Sequence, residues 1–65
     1  MPVDEDVRIA AQHMIDRYPA TALAEVYQRI EELRQRRDAA ALQEWLRIRV
    51  MVQALLAYPP ARSRN

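Results

Sequence analysis

The chain has 65 residues, with no cysteine, glycine, phenylalanine or lysine and a single histidine. This length allows one small domain at most, and the missing glycine excludes a phosphate-cradling P-loop and a dinucleotide-binding fingerprint. Ten arginines against nine acids leave a net charge of +1, too even a balance to drive nucleic-acid binding through charge alone.

No basic segment followed by an apolar core reads as a secretory signal. The longest strongly apolar stretch, 50–58, is far too short to span a bilayer. The expectation is a cytoplasmic protein, and the arginine- and alanine-rich composition suggests a bacterial source. With no cysteine and one histidine, neither a disulfide nor a structural zinc site is expected, and no cofactor is implied.

Three segments carry the three- and four-residue apolar spacing of helices, and none alternates as a half-buried strand does. The first spans about 4–18. Its acidic start (Asp4, Glu5, Asp6) suits the exposed amides of a first turn, and Val7, Ala10, Ala11, Met14, Ile15 and Tyr18 share one face. Pro19 ends it by disfavouring helical geometry at the residue before. Thr21 is then the natural side-chain cap for the next helix.

The second helix, about 22–36, has a clean stripe of Leu23, Val26, Tyr27, Ile30 and Leu33. Glu25 with Arg29 and Glu32 with Arg36 are spaced as i,i+4 ion pairs on a solvated face. Asp38 is a candidate cap for a third helix running to about Ala57. There, Ala41, Trp45, Ile48, Val52, Leu55 and Leu56 form a broad main stripe. Leu42, Leu46, Val50 and Ala57 form a second apolar patch, with Arg49 and Gln53 between the two. A helix in a small monomer needs one stripe; this one has nearly two. Tyr58, Pro59 and Pro60 end the helix, leaving 59–65 as a flexible tail to a single domain over 1–58.

The expected fold is all-α, a small three-helix bundle. The junction Arg36-Arg37-Asp38 contains neither glycine nor proline, so a helix followed by one continuous helix over 22–57 is the alternative.

The run from Ala11 to Leu55 resembles short helical proteins of alphaproteobacteria. The matching positions are Ala11, Ile15, Asp16, Tyr18, Ala22, Arg29, Glu32, Leu33, Asp38, Trp45 and Ile48. Pro19 and Arg37 depart from that pattern, standing where the family carries glycine. The second departure removes the residue that would most easily end the second helix. The resemblance implies a compact helical protein and no established activity.

No enzyme is expected. His13 with Asp16 or Arg17 is the one conceivable acid–base pair, yet catalysis also requires a pocket, a nucleophile or electrophile and an orienting group. A surface histidine at a helix edge is the simpler reading. Trp45 is expected to anchor the core, and Tyr58 to be the most exposed aromatic.

Small scaffolds rely on disulfides, metals, unusually good packing or association, and the first two are excluded here. Association is therefore the expectation, as a homodimer or with a larger protein partner, through Leu42, Leu46, Arg49, Val50, Gln53 and Ala57. Arg49 either bonds a carboxylate across that interface or lays its stem over apolar surface. The alternative is a nucleic-acid-associated regulator, or a small inhibitor protein, using Arg34, Arg36 and Arg37. Against it stands the favourable interaction of positive charge with a helix C-terminus, which needs no ligand. No small-molecule substrate and no membrane are implied.

Overall fold

In a computed structural model, which describes residues 2–58 and the side chains from Glu5 to Tyr58, three helices follow one another: α1 (Pro2–Arg17), α2 (Ala22–Arg36) and α3 (Ala39–Ala57). The fold is the all-α three-helix bundle that the apolar spacing predicts. The tail expected over 59–65 lies outside the described residues.

Helix α1 begins two residues earlier than its acidic run suggests. Pro2 suits a first helical position because its missing N–H has no intrahelical partner there. The last turn closes with the Tyr18 amide donating to the Met14 carbonyl at 2.9 Å. Thr21 does occupy the N-cap position of α2, but its hydroxyl accepts no capping bond. Its backbone carbonyl accepts the first helical bond, from the Glu25 amide at 2.9 Å.

The α2–α3 junction overturns the continuous helix. Arg37 adopts a left-handed conformation, with φ 59° and ψ 33°. Its amide donates to the Arg34 carbonyl, and the next amide, of Asp38, reaches back to the Leu33 carbonyl, both at 3.1 Å. These two bonds form a Schellman motif, which satisfies carbonyls that a helix end leaves orphaned. Asp38 also starts α3. Its carboxylate accepts from the Ala41 amide at 3.2 Å, and its carbonyl accepts from the Leu42 amide at 2.9 Å. Two consecutive residues thus end one helix and begin another. The arginine occupies a left-handed site that glycine would fill without steric cost.

Packing places α3 against both α1 and α2, which touch each other much less. The core is Val7 and Ala11 from α1, Ala22, Val26 and Ile30 from α2, and Ile48 and Val52 from α3. Leu33 is buried as well. Among the described residues none bulkier than valine is completely enclosed: the largest fully buried side chains are Val26 and Val52. The shortest dimension is 16 Å. This matches two helix layers, given an interaxial spacing of about 8–10 Å and a backbone radius of about 2.3 Å on each side. Helices α1 and α2 make one layer and α3 the other.

Several expected core positions are not enclosed. Trp45 is half-buried at the rim, with the Arg29 guanidinium 5.8 Å from its ring centroid, a cation–π distance. Tyr27 is exposed, and Ala22 takes its place in the buried stripe of α2. The charged face of α2 also pairs differently. Arg29 meets Glu32 at 3.4 Å and Arg34 meets Glu31 at 3.1 Å, so the i,i+3 spacing replaces the expected i,i+4 one; both spacings bring side chains together on a helix.

Replacing Arg37 with glycine is expected to stabilise the chain by about 1 kcal/mol by relieving the left-handed strain. Asp38→Ala is expected to destabilise it by about 1 kcal/mol through loss of the cap. Urea denaturation followed by helical circular dichroism checks both.

Candidate interaction surface

Helix α3 is the most apolar of the three helices, yet its apolar residues are spread around the axis rather than gathered on one side. Of its nineteen residues only Ile48 and Val52 are buried. The others divide into a half-buried ring and an open outer face.

The expected main stripe is mostly inward. Ala41, Trp45 and Leu55 flank the buried pair, half-buried. Leu56 departs from it, being 45% exposed. It lies in the last turn of α3, beyond the buried Val52.

The expected second patch divides. Leu42 and Leu46 pack partly against the core and remain partly open. Val50 is 56% exposed, and Gln53 and Ala57 are exposed. Helical geometry explains this split. Measured from the midpoint of the buried Ile48 and Val52, Val50 points about 180° away, whereas Leu42 and Leu46 lie about 100° and 140° away, where their longer side chains still reach the core.

The outward strip is longer than the spacing of apolar residues alone reveals. Ala39, Gln43, Leu46, Val50, Gln53 and Ala57 follow one another at steps of four, three, four, three and four, the spacing of a helix seam. Five of these six are exposed and Leu46 is half-buried. None is charged. The alternating step would have revealed Ala39 and Gln43, which a search for large apolar side chains passes over. By contrast, the outer sides of α1 and α2 carry Glu5, Asp16 and Glu31.

Arg49 borders this strip. It is half-buried, and its Nε is enclosed with no hydrogen-bond partner among the described residues. On the opposite border, Arg47 shares an open groove with Asp6, Val7, Ala40, Gln43 and Glu44. Two acidic residues and one arginine thus line the same groove.

Elsewhere, Arg34, Arg36 and Arg37 are exposed at the end of α2, with Arg34 held by Glu31. His13 is exposed beside Arg8, Ile9, Gln12 and Asp16 along an open groove of α1, with no serine, threonine or cysteine lining it. Tyr58 is 81% exposed, as its position before two prolines suggests. Among the described residues no cluster of three or more histidine, aspartate or glutamate side chains could hold a metal ion. None of the described helices is long and apolar enough to cross a membrane. No protein-family model, curated protein or solved structure matches the chain.

Val50→Glu is expected to change the stability of the isolated chain by less than about 0.5 kcal/mol, because the side chain already faces water. Val52→Ala, on the same helix but fully enclosed, is expected to cost about 2 kcal/mol. Parallel urea titrations of the two variants separate the open face from the core.

Proposed function

We propose that the protein is a non-enzymatic interaction module of the bacterial cytoplasm, associating through the outer face of α3 either with itself or with a larger protein. The observation that carries this reading is the uncharged strip from Ala39 to Ala57, with Val50 open to solvent at its centre. Solvent-facing helix surfaces normally carry charged or polar residues, whereas this strip holds two glutamines and otherwise alanine, leucine and valine. The core gives independent support: a domain whose largest fully buried side chains are valines gains from covering more apolar surface. The open surroundings of His13 favour binding over catalysis.

A second reading uses Arg34, Arg36 and Arg37 to contact nucleic acid, directly or as a small inhibitor of an enzyme acting on it. Its support is the exposure of all three side chains. It requires binding that weakens steeply with salt, and a flat salt response removes it.

The test compares the natural chain with Val50→Glu, by light scattering on a sizing column and by retention of cell proteins on the immobilised chain. The expected result is a mass above 7.6 kDa or a specifically retained protein, lost in either case with Val50→Glu. A monomer that retains the same proteins as Val50→Glu overturns the reading.

A further inference from the structure

Resting on the proposal that the outer face of α3 is a contact surface, we infer that its occupant is a second copy of this chain, packed antiparallel across a twofold axis beside Ile48. The order along the strip is Ala39, Gln43, Leu46, Val50, Gln53, Ala57. Read from the other end, it presents the same chemistry: alanine, glutamine, aliphatic, aliphatic, glutamine, alanine. An isologous interface requires this self-complementarity. An antiparallel copy sets Leu46 against Val50, Gln43 against Gln53 and Ala39 against Ala57, and the twofold axis repeats each layer. Facing glutamine amides each bring a donor and an acceptor, so those layers satisfy themselves. The alanines at both ends let the helices approach closely.

The flanks select the direction. Antiparallel packing lays the exposed Leu56 of one copy against the half-open Leu42 of the other. Parallel packing instead places Leu42 beside Arg47. Antiparallel helices also oppose their macrodipoles, which favours the pairing.

Charge on the two flanks differs. Antiparallel packing brings both Arg47 side chains together on one flank. Each copy also has Asp6 and Glu44 lining its Arg47 groove, so acidic residues outnumber arginines on that flank. On the other flank the two Arg49 side chains face each other. Arg49 already has an unpartnered Nε among the described residues, and the second copy brings it another positive charge. This pair is the weak point of the dimer. One helix per copy also gives an interface at or below the lower end of the roughly 1,200–2,000 Å² typical of stable complexes. The dimer is therefore weak, with a dissociation constant on the order of 10–100 µM.

Sedimentation equilibrium from 5 µM to 1 mM, together with distances between spin labels, tests this inference. The chain lacks cysteine, so Ala39→Cys and Ala57→Cys each place one label per copy. Antiparallel packing about Ile48 separates like labels by about 27 Å along the helix axis at both positions, whereas a parallel pair holds both near 10 Å. Val50→Glu is expected to weaken the dimer at least roughly 30-fold, as loss of a central contact does. Arg49→Met is expected to tighten it roughly five- to tenfold by removing the like-charge contact, a gain that misfolding does not produce.

Short distances at both labels, or a dimer that ignores Val50→Glu, overturn the arrangement. A chain that stays monomeric to 1 mM but retains a cell protein in a Val50-dependent manner overturns the second copy alone. A monomer that retains none removes the contact surface as well.

Discussion

The two-residue junction at Arg37 and Asp38 determines the rest of the molecule. If α2 ran on without interruption, the apolar stripes on either side of the junction would follow one rod and Val26 could not meet Val52. Because Arg37 accepts the left-handed conformation, the amides of Arg37 and Asp38 turn back onto α2. The Asp38 carboxylate then gives α3 a fixed start. Folding the chain here makes α3 a layer of its own over α1 and α2. The same geometry leaves one side of α3 uncovered.

That layering explains the contrast between helices of similar length. Helices α1 and α2 each keep a charged side toward solvent, held by short-range pairs such as Arg8 with Glu5 at 2.7 Å and Arg34 with Glu31 at 3.1 Å. These pairs are exposed and add little stability; their effect is to keep those surfaces hydrated. Helix α3 has no such pair among the described residues, and from Val50 to Tyr58 it carries no charge at all. Its buried side and its outer side are therefore similar in chemistry, which is why its apolar residues do not form a single stripe.

Much of this was legible in the sequence because helical spacing and capping residues act locally. The three helices, the limits of α2 and α3, and the role of Asp38 follow from apolar periodicity, Pro19 and the Asp-Ala-Ala-Ala start. The turn at Arg37 was harder to read, since an arginine in a left-handed conformation gives no local signal of the kind glycine does. Trp45 was expected in the core for its size. In a bundle this thin, however, only small side chains such as alanine and valine are fully enclosed, and a bulky indole is displaced to the rim beside Arg29. The outer face of α3 was partly legible. Val50, Gln53 and Ala57 were identified from their position off the main stripe. The same reasoning could not show that Leu42 and Leu46 lean back onto the core, because that depends on which side of α3 its neighbours pack.

The small size of the enclosed side chains has a thermal consequence. The heat capacity change of unfolding scales with the apolar surface that becomes hydrated, and a chain of 65 residues with so few enclosed side chains releases little of it. The stability of the lone chain should therefore vary gently with temperature, in a shallow arch. Its melting should be gradual, since so short a domain carries a small enthalpy to sharpen the transition.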